Sequence, residues 1–222
     1  MMFKDLTLGL KLLKYGYKMT LNIVMMLLIL GIGVVMEIAT KGTSPIGGFY
    51  FMLCGMFAYQ MIISLDISAM IQTTAMKKKL QVKIPVIVST LFYLVTFTFL
   101  IVERAIMINV NPDNKEQLLF VLFTIVVMMF ATFLFSGVCY KFMFVAMILL
   151  IIVISSSTVV LQILWNVGLG AAMMNMGLGM IAVLGYVTIL LGALIEYAVS
   201  SLLYRYPLSD FTFRGIFKDT KL

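Results

Sequence analysis

The sequence predicts an all-α fold, a polytopic membrane protein with six transmembrane helices, and three observations carry that reading. Hydrophobic residues make up 63% of the 222 positions and charged residues 11%, with a mean hydropathy of +1.14. Soluble domains sit nearer half apolar and a quarter charged, because much of a folded surface has to face water. Apolar runs long enough to cross a hydrocarbon core of about 30 Å, which takes roughly 20 helical residues, occur at 20–38, 48–66, 86–104, 117–138, 142–162 and 178–203. With both ends inside, Lys41, Arg104 and Lys115 are the three basic residues of sixteen that fall outside. That is the asymmetry expected when positive loops stay in the cytoplasm.

Taken in order, residues 1–18 read as an interfacial helix before the first span. Phe3, Leu6, Leu10, Leu13 and Tyr17 share one arc, and Lys4, Lys11, Lys14 and Lys18 the next, where their stems can snorkel toward headgroups. A membrane anchor and an elbow touching a partner protein are both open to such a segment. "TKGTSPIGG" turns the chain into the second span, which ends near Asp66. The inner loop 67–85 follows and has room for a short helix parallel to the membrane. Lys77, Lys78, Lys79 and Lys83 crowd into it among Ile71, Thr73, Thr74, Met76, Leu80 and Val82. As a topology signal a few lysines anywhere would do, whereas a compact mixed surface suits docking into a groove. Pro85 then fits the start of the third span.

"INVNPDNKEQ" separates spans three and four, and "GVCYK" links four to five. The fifth span carries Ser155, Ser156, Ser157 and Thr158 at mid-membrane. These hydroxyls can back-bond to their own helix, hold helices together or line a weakly polar path. Residues 163–177 are broken by glycines, too apolar for an ordinary loop and too interrupted for a seventh span. An outer re-entrant hairpin fits them, with close helix packing through small residues as the alternative. Glu37, Asp66, Glu103 and Arg104 sit at predicted span ends, where hydration is at hand. Glu196 lies deeper and has to face protein or water, as a structural partner or in a substrate or proton role. Residues 204–222 form a cytoplasmic tail, and 1–222 a single transmembrane domain.

Some chemistry is excluded. Histidine is absent and there are two cysteines, so a Ser–His triad, a histidine-bound metal and a disulfide framework have nothing to stand on. No phosphate-binding loop occurs, so the chain does not hydrolyse ATP and is not expected to be an enzyme. No cofactor is expected in this chain. Lysines distributed among inner loops point to lipid headgroups and not to nucleic acid. Twenty methionines suit surfaces that accept varied apolar ligands.

The layout resembles the membrane subunit, or permease, of an ABC type-2 exporter. The resemblance rests on the segment 3–18, on "QTTAMKKKLQVKIP" at 72–85, on "GLGAAMMNMGLG" around 168–179 and on "LLYRYPLSDFTFRGIFK" at 202–218. It implies a cytoplasmic coupling helix in which Thr73, Thr74, Met76, Lys77, Lys78, Lys79, Leu80 and Lys83 dock on a separate ABC ATPase subunit. ATP and magnesium would bind that partner. It further implies pairing with a second copy or a homologous permease, and export across a bacterial cytoplasmic membrane with both termini inside. Small size and the lack of a large outer domain resemble exporters of amphipathic peptides such as phenol-soluble modulins. Two other classes stay open: the substrate-capturing component of a vitamin importer, and a structural or immunity-type membrane protein.

Overall fold

Where no water reaches the backbone, N–H and C=O groups have to pair within their own segment, so long apolar runs become helices. The computed structural model describes residues 19–66, 77–139 and 141–206, with Thr7 and Lys11 before them. The interfacial helix (apart from those two residues), loop positions 67–76 with Thr73, Thr74 and Met76, and the tail beyond 206 lie outside the described residues.

Six long helices and no strand make up the described chain: α1 (Met19–Thr40), α2 (Ile46–Asp66), α3 (Ile84–Val110), α4 (Lys115–Cys139), α5 (Met143–Leu164) and α6 (Gly170–Leu203). Five helical segments are long and apolar enough to cross a bilayer, and α2, apolar over Ile46–Met56, brings the count to five or six. This is consistent with a multi-pass membrane protein. So is the surface of the bundle, where Leu27, Val35, Val95, Ile106, Ile151 and Leu194 stand exposed. In water such a continuous apolar surface would drive association.

Helix α4 is the axis of the molecule. It packs against α2, α3, α5 and α6 and contributes Leu119, Leu122, Ile125, Met129 and Phe133 to the main core. Tyr93 and Phe97 of α3 meet it and α6 edge-on, with ring centroids 4.7 Å apart for Tyr93–Phe133 and 5.5 Å for Phe97–Tyr186. Helix α1 leans chiefly on α2, and α5 on α4.

Each connection has a local cause. Helix α1 ends through two residues of positive φ, Lys41 (48°) and Gly42 (69°), and the Gly42 N–H donates to the Glu37 carbonyl at 3.1 Å, a left-handed cap of the kind glycine permits. Asn111 and Pro112 stop α3, and a single 3-10 turn (Pro112–Asn114) leads into α4. Between α5 and α6 the chain stays helical but breaks at Gly168 (φ 105°) and Gly177 (φ 69°).

The start of α3 departs from the sequence reading. Residues 77 and 78 are already helical, and a π-helical turn (Lys79–Lys83) runs straight into α3. The lysines therefore stand on an extension of the helix. Pro85 supplies the reason: it has no N–H and its ring crowds the carbonyl four residues back, at Gln81. Widening the turn, with Ile84 N–H reaching the Lys79 carbonyl, keeps the helix continuous. At the other end α3 continues six residues past the predicted boundary at 104. Glu103 and Arg104 thus lie within the helix and not at its end.

Candidate functional site

Three features of the bundle carry charge or hydrogen-bonding capacity, and α3 links them. Along its inward face and that of the turn before it, Gln81, Pro85, Ser89, Tyr93, Phe97, Leu100 and Arg104 recur at three- or four-residue intervals, and all are buried, as residues on one side of a helix can be.

At the end of the bundle away from the lysines, Arg104 is fully buried. Its Nη2 donates to Glu37 Oε2 of α1 at 2.9 Å, and its Nη1 to neighbouring Glu103 Oε2 at 2.6 Å. The α1–α2 turn closes over this group. A Cβ on Gly42 would collide with Arg104 Nη1, and one on Gly47 would come within 2.7 Å of the Glu37 carboxylate. Gln117 of α4 donates to the Thr43 carbonyl at 3.2 Å and ties the same turn down. Glu37 Oε1, Glu103 Oε1 and Arg104 Nε are buried with no hydrogen-bond partner among the described residues. The sequence reading assigned these residues to hydrated span ends. It missed the cluster because Glu37 and Arg104 are 67 positions apart.

Nearer the lysine end, Glu196 of α6 is fully buried against α3 and α4. The Ser89 hydroxyl lies 3.0 Å from Oε2 and 3.3 Å from Oε1, and 3.1 Å from the Val86 carbonyl. Its single proton serves one of these acceptors at a time. Ser136 nearby on α4 is buried, and its hydroxyl has no partner among the described residues. Tyr93, one turn along from Ser89, points its hydroxyl at the Met52 carbonyl of α2, 3.5 Å away. Spacing predicted Glu196 to face protein or water, and it faces protein. Ser89 gave no signal of its own, since an isolated serine in an apolar helix usually bonds to its own backbone.

The lysine helix is the third feature. Lys78 and Lys83 are exposed, Lys77 and Lys79 half-buried, and Leu80, Gln81 and Val82 turn into the bundle. The Lys77 ammonium sits 5.7 Å from the centre of the Tyr204 ring at the end of α6, within cation–π range. Of the predicted docking residues, the four lysines lie on one short helical segment and Leu80 is buried.

Of the fifth-span hydroxyls, Ser155 and Ser156 are not in the core. Ser155 and Ser156 lie on the exposed face of α5, Ser156 donating to the Val153 carbonyl at 3.2 Å, while the side chains of Ser157 and Thr158 are outside the described residues. Ser155 and Ser156 therefore do not join Glu196 in one site. No group of three or more metal-ligating side chains occurs among the described residues. Set beside known proteins, the chain matches no family model, no curated protein and no solved structure.

Proposed function

We propose that the chain is the permease subunit of an ATP-driven exporter of the ABC type-2 kind, moving an amphipathic or hydrophobic substrate, most simply a peptide, out of a bacterial cell. The observation that carries this reading is the continuity of the lysine helix with α3. A force applied at Lys77–Lys83 meets no loop before it reaches the middle of the bundle. The docking surface for a separate ATPase subunit is then Lys77, Lys78, Lys79 and Lys83, with Thr73, Thr74 and Met76 leading into it. Leu80 acts from behind by seating the segment.

Two further observations support it. Ser155 and Ser156 place two small side chains on the outward face of an apolar helix, where small residues let a neighbouring helix approach closely, so α5 belongs to the interface with a second permease. The breaks at Gly168 and Gly177 suit a short hairpin dipping in from outside. In this arrangement the lysine helix is cytoplasmic, and the Glu37–Arg104 cluster lies toward the exterior.

The experiment is to change Lys77, Lys78 and Lys79 together to Glu in the full chain. Membrane insertion is retained, while co-purification with an ATPase encoded beside it, and export, are both lost. Survival of both would refute the docking assignment. Retention of a tightly bound small molecule by the purified chain alone would favour an importer's capture component.

A further inference from the structure

We infer that the end of α6 and the start of the lysine helix together hold an anionic phospholipid, with Lys77 and Arg205 on its phosphate and an acyl chain along the outer face of α6. That face is built for one leaflet. Leu191, Leu194, Ala198, Leu202 and Arg205 recur at three- or four-residue spacing, which puts them on one side of a helix, and all five are exposed. The Tyr204 N–H donates to the Ser200 carbonyl at 2.9 Å, so the helical register carries on toward Arg205. From Leu194 to Arg205 the rise is about 16 Å at 1.5 Å per residue, about half the thickness of a hydrocarbon core. The track is as long as one leaflet is deep, apolar along its length and cationic at its end.

Depth and charge then select the ligand. The apolar spans of α3 and α6 end at Lys79 and Leu203. Lys77 and Arg205 each stand two residues beyond, at the level of the headgroups. Tyr204 and Tyr206 stand beside them, and tyrosine favours this layer of a membrane. The two spans also meet here. The π turn before α3 packs against α6, and the Lys77 ammonium lies 5.7 Å from the centre of the Tyr204 ring, which holds that charge on the α6 side. Among the described residues neither Lys77 nor Arg205 has a carboxylate partner. A guanidinium can fork onto a phosphate, while an ammonium meets it as a point charge. A zwitterionic headgroup brings a cation of its own to the same place and is repelled. The ligand is therefore a phospholipid of net negative charge, the kind that basic groups between transmembrane helices hold.

The test uses the full chain purified in a nonionic detergent. Phosphatidylglycerol and phosphatidylcholine with the same acyl chains are titrated in, and bound lipid is counted by native mass spectrometry. A basic residue near the membrane surface is worth about 1 kcal/mol toward an anionic lipid, or about fivefold in affinity. Phosphatidylglycerol is thus expected to bind about 25-fold more tightly than phosphatidylcholine. Lys77→Gln and Arg205→Gln each lower that preference about fivefold, and the double variant binds the two lipids alike. Lys77→Arg with Arg205→Lys exchanges the charges without removing either and keeps the preference, so its loss in the double Gln variant reads charge and not fold. Lys115→Gln, at the far end of the bundle, also keeps it. Equal binding of the two lipids by the parent, or a preference that survives in the double Gln variant, would overturn the proposal. Displacement of phosphatidylglycerol by an equal concentration of sodium phosphate would show a free-anion site in place of a lipid site. No ATPase enters these measurements, so the proposed function and this site fail separately.

Discussion

Taking a guanidinium out of water costs several kcal/mol even after the surroundings relax, and Arg104 is fully buried. Most of that cost returns through Glu37 and Glu103. Removing one partner therefore matters more than removing the pair. Arg104→Ala lowers stability by about 3–5 kcal/mol, and Arg104→Met combined with Glu37→Leu recovers most of it; unfolding in detergent followed by Trp165 fluorescence separates the two. Glu196 obeys the same logic with a neutral partner. Ser89→Ala strips the carboxylate of its hydroxyl and costs about 1–3 kcal/mol, whereas Ser89→Ala with Glu196→Leu is close to neutral. A cost in the double variant equal to that of Ser89→Ala would mean that the serine matters for packing and not for Glu196.

Among the elements, the segment between α5 and α6 offers a comparison within two residues. Gly177 and Gly179 both look onto open space, so an added Cβ meets nothing at either. They differ in backbone: within α6, Gly177 has φ 69° and breaks the helix, whereas Gly179 keeps a negative φ. Gly177→Ala is expected to cost about 1–2 kcal/mol through left-handed strain, and Gly179→Ala to gain about 0.5–1 kcal/mol through reduced chain entropy. Thermal unfolding of the two variants side by side decides it. The helices were legible because each apolar run is bounded by turn residues, and "TKGTSPIGG" and "NPDN" fall where α1 and α3 stop. Less legible was the length of α3. A charged pair reads as the end of a span, yet Ile106, Met107, Ile108 and Val110 carry the apolar pattern on, and that run was the available signal. The π turn was hidden for another reason: Pro85 reads as a helix start, and only a widened turn before it lets the helix begin earlier. Pairings such as Ser89–Glu196 are set by how helices meet, and one sequence shows no trace of that.

For the molecule as a whole, the contacts divide the bundle into two ends. Lys77 meets Tyr204 at one; the α1–α2 turn meets Arg104 and Gln117 at the other. Cysteines at Lys41 and Asp113 should therefore react with an impermeant maleimide from one side of the membrane, and those at Lys78 and Tyr206 from the opposite side. Reaction of Lys41→Cys and Asp113→Cys from different sides would overturn both the span count and the end assignments.

The central position of α4 has a consequence for biogenesis. Its spanning stretch is as apolar as any other in the chain, at a hydropathy of 2.8, yet 72% of it is buried by neighbouring helices. In the finished fold it meets little lipid. Its greasiness answers to an earlier moment, when the ribosome has delivered it to the bilayer and α5 and α6 have yet to be synthesised. A polar substitution at Leu122 or Met129 would be felt first as failed insertion, before any packing partner had arrived to tolerate or reject it.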